Sequence, residues 1–170
     1  MRTIHVLDTG GTIGGIAGPD DPPPEDDRVI DWLREHCARN EIALQAQILC
    51  KKDSRALDES DRAALVRAIT ASDHACILIP HGTFTMPETG VYLLQKLAPI
   101  APRKTVILVG SLVPLGEPGS DAPAALGFAL QSFDRAGTGI WIAMSQRLWH
   151  PQEVEKDLES GEFVARSTPG

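Results

Sequence analysis

The sequence predicts an α/β protein built on a doubly wound, flavodoxin- or Rossmann-like parallel sheet of about five strands with helices on both faces. Three observations predict it. Short continuous apolar runs recur along the chain, a helix-favouring stretch separates each run from the next, and glycine and hydroxyl residues cluster after the runs. Continuous apolar runs mark strands covered on both faces, and right-handed crossovers bring the carboxyl ends of parallel strands to one edge of the sheet. The segments at that edge run over 9–15, 51–55, 81–85, 110–119 and from Ser145 onward. One edge therefore collects the chemistry.

Residues 3–7 read as the first buried strand. Residues 30–39 follow as a helix with Ile30, Leu33, Cys37 and the stem of Arg34 on its inner side, and residues 42–50 alternate as the second strand. Asp58 is the expected N-cap of a helix over 59–70, whose apolar stripe is Ala64, Leu65, Ala68 and Ile69. A third strand over 75–79 stops at Pro80, a helix occupies 88–97 and a fourth strand 105–109. Asp121 opens a helix running to Arg135, and residues 139–143 complete the sheet. The stretch from Asp20 to Asp27 holds three prolines and five acids, which cannot make a packed element. A mobile flap over about residues 14–29 is expected there, a solvated linker being the other reading.

At 170 residues the chain fits one domain, 1–170, and its 42% apolar and 23% charged content is that of a globular protein. A net charge of -7 without a basic face argues against a nucleic-acid partner. No apolar run reaches the roughly 18 residues needed to span a bilayer, and Met1 leads directly into a strand, so a cytoplasmic protein without a membrane partner is expected. Cys37, Cys50 and Cys76 lack metal or redox spacing and read as buried thiols.

The glycines after the first strand, Gly10-Gly11-Thr12-Ile13-Gly14-Gly15, lack the register of a dinucleotide loop, and no phosphate-cradling Gly-Lys-Ser/Thr occurs. Gly110-Ser111-Leu112-Val113 lacks the glycines of a hydrolase nucleophile elbow. No spacing suits a metal, and no cofactor is expected. His81 either lines the pocket or caps its strand. Threonine nucleophilic chemistry remains, with Thr12 as nucleophile and glycines that let a substrate carbonyl approach the backbone.

Thr9-Gly10-Gly11-Thr12-Ile13 and His81-Gly82-Thr83-Phe84-Thr85 resemble the two signature motifs of the L-asparaginase family with threonine nucleophiles, whose second motif usually reads His-Gly-Thr-Asp-Thr. Asp53-Ser54 is similar to the family's substrate-carboxylate serine segment. Val109-Gly110-Ser111-Leu112 and Ser120-Asp121-Ala122-Pro123 resemble later segments, and Val154-Glu155-Lys156 falls where the family carries its lysine. The chain looks like a short, single-domain relative of the family's amino-terminal domain.

The resemblance implies Thr12, Thr83 and Lys156 as catalytic residues, with Thr12 forming an acyl-enzyme and Thr83 and Lys156 a proton relay. It implies Gly11, Ser54, Arg55, Gly82, Phe84 and Ser111 as substrate-binding residues, the Gly11–Thr12 backbone holding the oxyanion. A small amide is the implied substrate and a homodimer or homotetramer the implied assembly. Trp141, Trp149 and Phe163 are candidates for such an interface or for the core. Taken by itself, Lys156 among Glu153, Glu155, Asp157 and Glu159 reads instead as a solvated helix lysine.

Two departures bear on the chemistry. Phe84 stands in place of the family's aspartate, which orients the lysine and meets the substrate's ammonium; its loss leaves the lysine easier to deprotonate, because an opposite charge raises a lysine's pKa. Residues 14–30 contain no tyrosine to activate the nucleophile, and Ala56 stands where relatives often carry an acid. Asp53 and Glu88 are the carboxylates expected near the space Phe84 gives up. The alternative function is a catalytically impaired small-molecule binding protein on the same fold.

Overall fold

The computed structural model describes residues 1–99 and 103–167. Among the described residues a six-stranded sheet forms in the order β2-β1-β3-β4-β5-β6. Its strands are β1 (Thr3–Gly10), β2 (Ala43–Lys52), β3 (Cys76–Pro80), β4 (Thr105–Val109), β5 (Gly139–Met144) and β6 (Arg147–Trp149). The first five are parallel and β6 joins β5 antiparallel. The helices are α1 (Arg28–Arg39), α2 (Glu59–Ala71), α3 (Met86–Leu97) and α4 (Ala122–Ser132).

Strand periodicity divides the core into two layers. Ile4 and Val6 of β1, Leu78 of β3, and Ile107 and Val109 of β4 pack with Val29 and Leu33 of α1 and Leu126 and Leu130 of α4. On the opposite face Leu7, Ile77, Ile79, Val106 and Leu108 pack with Leu65 and Ile69 of α2 and Leu93 and Leu97 of α3. Successive side chains alternate between the layers, so a continuous apolar run was the appropriate pattern for each central strand.

The expected helix termini shift by a few residues, with one informative exception. Asp58 caps α2 through a reciprocal box: its side chain accepts from Asp61 N at 2.9 Å, while Asp61 accepts from Asp58 N at 3.0 Å. Asp121 stands before α4 but does not cap it. Its carboxylate accepts from the backbone N–H groups of Leu112 and Val113, at 3.0 and 2.9 Å, and ties down the loop after β4.

The sheet gains a strand that the sequence reading placed in a loop. Ser145 and Gln146 both take positive φ, 55° and 54°, as a two-residue type I′ hairpin turn requires. The chain then reverses into β6. Beyond it, β7 (Val154–Lys156) and β8 (Phe163–Ala165) make a separate antiparallel pair. Val154 and Phe163 are buried with the α2–α3 layer, as is Trp149, so these aromatics serve the core; Trp141 packs partly exposed against the other layer. Lys156 thus lies on a strand, not on a solvated helix, because Val154 and Phe163 anchor that strand to the body of the protein.

At the order reversal between β1 and β3 the loops touch through bare backbone. Gly11 has φ +84°, and a Cβ there would lie 2.4 Å from the Gly82 nitrogen; a Cβ on Gly82 would lie 2.8 Å from Ser54. Gly11→Ala therefore combines a left-handed backbone with a clash against another backbone. It is expected to destabilise the protein by about 2–4 kcal/mol, and Gly82→Ala by about 1–3 kcal/mol, measured by urea unfolding. Wild-type midpoints in both variants would remove the contact from the account.

Candidate active site

β1 delivers its chain into a short 3-10 turn, Thr12–Gly14, and β3 into the segment carrying Thr83. Both lie at the sheet's switch point, where α/β folds leave a crevice at the carboxyl ends of the strands. A cavity of about 430 Å³ opens there, and Thr12, Thr83, Phe84, Ser111 and Lys156 all line it. Lys156 Nζ lies 2.7 Å from Thr83 Oγ1. This pairing joins residues 73 positions apart in the chain.

The remaining motif residues build the frame. Thr9 Oγ1 donates to the Pro80 carbonyl at 2.8 Å, joining β1 to β3. Thr85 Oγ1 donates to the Ser54 carbonyl at 2.9 Å, and Thr85 N donates to Ser54 Oγ at 3.1 Å. Ser54 is fully buried at this junction with Gly11 and Gly82. Gly11 N–H donates to the Lys52 carbonyl at 2.9 Å, which commits it and removes it as an oxyanion donor. Ser111 donates to the Val113 carbonyl at 2.7 Å and holds its loop.

His81 belongs to the frame as well. Its Nδ1 lies 2.6 Å from the Gly82 carbonyl, which can only accept, so Nδ1 carries the proton. Burial pushes its pKa down to about 4, against the Gly82 bond, with the Arg62 charge also lowering it. The neutral ring therefore accepts at Nε2 from Thr89 Oγ1, 2.9 Å away, while that oxygen accepts from Arg62 Nε at 3.0 Å. The relay holds the Gly82 carbonyl one residue from Thr83.

Phe84 lies under the Arg55 guanidinium and the Lys156 amine. The Arg55 guanidinium carbon is 3.9 Å and Lys156 Nζ 3.8 Å from its ring centroid. Arg55 makes a two-bond contact with Asp53, at 2.9 and 2.8 Å, which holds that buried carboxyl below its usual range. Burial lowers the Lys156 pKa, the Arg55 charge lowers it further, and Asp53 opposes both. The expected ease of deprotonation thus arises from desolvation first.

The sequence reading missed Glu117, Leu112, Pro114 and Ala17, all of which line the cavity. They come from loops without periodicity, where no sequence pattern reports which side chain turns inward. Asp53 was foreseen near Phe84, and the structure pairs it with Arg55; Glu88 is exposed in the first turn of α3. The acidic segment is exposed, yet fastened at its far end. Lys51 Nζ donates to the Pro24 and Asp26 carbonyls, each at 3.0 Å, and pairs with Asp27 at 2.7 Å. Cys50 is half-buried, its thiol 3.5 Å from the Thr9 carbonyl, and Cys37 is fully buried.

The "Asparaginase, N-terminal" family model matches residues 3–164 of the chain. This chain belongs to the asparaginase family. It is 29% identical over 160 residues to an L-asparaginase of Thermococcus kodakarensis, covering 90% of this chain and 47% of that protein. It is 28% identical over 165 residues to a probable periplasmic L-asparaginase of Haemophilus influenzae, covering 92% of this chain and 46% of the relative. This asparaginase-family chain spans about half the length of these curated relatives. The solved structure of the thermostable L-asparaginase from Thermococcus kodakarensis superposes with a TM-score of 0.80 at 25% identity, over 99% of this chain and 52% of that one. A probable cytoplasmic L-asparaginase from Campylobacter jejuni gives 0.78 at 24% identity, over 97% of this chain and 53% of the other, and shares the fold. No helix among the described residues is long and apolar enough to cross a membrane.

Below the Thr12–Gly14 turn, Asp8 is 6% exposed and accepts from Gly10 N–H at 2.9 Å. Burial pushes its pKa up to about 6, against the Gly10 bond and the Lys51 charge. A carboxyl with a raised folded pKa contributes stability that is full at low pH and is lost as pH rises through about 6. Asp8→Asn keeps the acceptor without the charge. It is expected to gain on the order of 2–3 kcal/mol relative to wild type between pH 4 and pH 7.5, read from urea unfolding at both values. A pH-independent difference between the two proteins would contradict the assignment.

Proposed function

We propose that this chain is the catalytic part of an asparaginase-type amidohydrolase that releases ammonia from a small carboxylic amide, with asparagine as the default substrate. The observation that carries this reading is Lys156 Nζ at 2.7 Å from Thr83 Oγ1 in a cavity shared with Thr12. A hydroxyl is too weak a nucleophile at neutral pH without a base, and a desolvated lysine is such a base.

In the proposed reaction Thr12 Oγ1 attacks the amide carbon while its proton passes through the Thr83 hydroxyl to neutral Lys156. The Thr12 backbone N–H faces the developing oxyanion. Collapse breaks the carbon–nitrogen bond, the nitrogen takes the proton back from Lys156, and ammonia leaves a threonyl ester. Water then attacks the ester carbon, Lys156 again handles the proton, and the acid and Thr12 are regenerated. The acidic segment over about 14–29 serves as a flap, through Ala17 at the cavity. The same reading carries a single domain over 1–170, a cytoplasmic location and a homodimer or homotetramer.

A second reading, a binding protein without turnover, draws on Phe84 and on the lack of a tyrosine in residues 14–30. It is distinguished by saturable amino-acid binding with no Thr12-dependent ammonia.

Thr12→Ala is expected to lower ammonia release by about 10³-fold or more, in an enzyme-coupled ammonia assay; turnover equal to wild type would exclude the nucleophile. The required form of Lys156 is neutral, so kcat/KM should rise with pH along a limb lying below the ordinary lysine value of about 10.4. In Arg55→Gln that limb should move to higher pH, because the repelling cation is gone and Asp53 is freed to favour the ammonium. A limb unmoved by the substitution would place the titrating group elsewhere.

A further inference from the structure

The wall of the cavity at Phe84 is electrically closed to another cation. Its ring already carries the Arg55 guanidinium at 3.9 Å and the Lys156 amine at 3.8 Å from its centroid, so little of its π face is left for an incoming ammonium. The carboxylate nearest these two groups, Asp53, is 3% exposed and fastened to Arg55 by two bonds. It has no free oxygen face to offer an incoming ammonium. Burying an ammonium beside the Arg55 guanidinium and the Lys156 amine, with no free carboxylate on this wall, costs its hydration and returns no ion pair.

The same wall is apolar and open. Phe84 is 38% exposed and Leu112 44% exposed, two of the large hydrophobic side chains the protein leaves uncovered, and both line the cavity. Pro114 and Ala17 add further apolar lining. Glu117 is the one carboxylate among the lining residues, and it comes from the loop after β4, where the Arg28 guanidinium feels its charge. It is an exposed residue on a different loop from Phe84.

We infer that the amide this site accepts presents an uncharged, apolar group to Phe84 and Leu112, rather than an ammonium. The inference rests on the amidohydrolase reading above and replaces its default substrate, asparagine, with amides whose carbon chain lacks a free amino group beside this wall. Transfer of a methyl-sized group onto the exposed Phe84 and Leu112 surface is favourable, whereas transfer of an ammonium onto it is not.

The test compares three amides that differ at one position: L-asparagine, succinamate, in which hydrogen replaces the ammonium, and the analogue in which a methyl replaces it. Ammonia release is measured with wild type, Phe84→Asp, Phe84→Leu and Thr12→Ala. Wild type and Phe84→Leu are expected to favour the methyl analogue over asparagine by at least about tenfold in kcat/KM, and Phe84→Asp to reverse the order. Asparagine turned over as well as or better than the methyl analogue by wild type overturns the inference, and so does an unreversed order in a folded Phe84→Asp. Absence of Thr12-dependent ammonia from all three amides overturns the parent reading instead. The wall is then read by calorimetry with the product acids: methylsuccinate bound more tightly than aspartate supports the inference, and aspartate bound equally or more tightly overturns it.

Discussion

The contact of Gly11 with Gly82, and of Gly82 with Ser54, is the constraint on which the site depends. Three loops leaving β1, β2 and β3 meet here with backbone against backbone, at distances where any Cβ would collide. Bringing chains this close leaves polar backbone groups that must be satisfied without water. Gly11 N–H donates to the Lys52 carbonyl, and the Gly82 carbonyl accepts from His81 Nδ1–H. Thr12 and Thr83 are each the next residue after a crossing glycine. Their convergence on one cavity is therefore a product of backbone geometry rather than of side-chain reach.

Onto this rigid crossing the chain adds one mobile-chemistry group from far away. Lys156 arrives on β7, and its position is set by core burial of Val154 two residues earlier and of Phe163, its pairing partner on β8. A lysine with a flexible stem would otherwise keep its ammonium in water. Here its amine is drawn in beside Thr83 and Phe84, where desolvation and Arg55 favour the neutral form. Asp53 keeps the opposing pull modest because Arg55 occupies it. The pair Asp53–Arg55 thus performs two tasks at once: it neutralises a buried carboxylate, and it holds a positive charge over the Phe84 ring.

Much of this architecture was legible in the sequence, and the failures have physical causes. The four inner parallel strands were readable because each is an apolar run covered on both faces, the edge strand β2 because its residues alternate, and Asp58 was readable as a cap because its function is local. β6 was hidden by its three-residue length and by a turn, Ser145-Gln146, that adopts left-handed backbone without glycine or asparagine. β7 was hidden for the same reason of length, and its acidic neighbours mimic an exposed helix. Within the site, Thr12, Thr83 and Lys156 were placed through the resemblance, and residues such as Glu117 and Leu112 were not, because their orientation is decided by tertiary loop packing. The bonds of Asp121 show the limit well: aspartate before a helix reads as a cap, but here two backbone N–H groups from the preceding loop outcompete its own helix.

The two hydroxyl-rich motifs divide their labour in the same way. In the first, Thr9 staples β1 to the Pro80 carbonyl and Thr12 faces the cavity. In the second, Thr85 staples the loop to Ser54, receives a bond from Arg62 at 3.1 Å, and leaves Thr83 to face the cavity. A hydroxyl committed to a buried carbonyl is held at hydrogen-bond distance and cannot leave without orphaning its acceptor. Each motif therefore contains one threonine whose immobility fixes the position of the other. A cavity built this way holds the Thr12 and Thr83 hydroxyls in place before any ligand arrives, and in the proposed reaction this is the condition under which positioning contributes to rate.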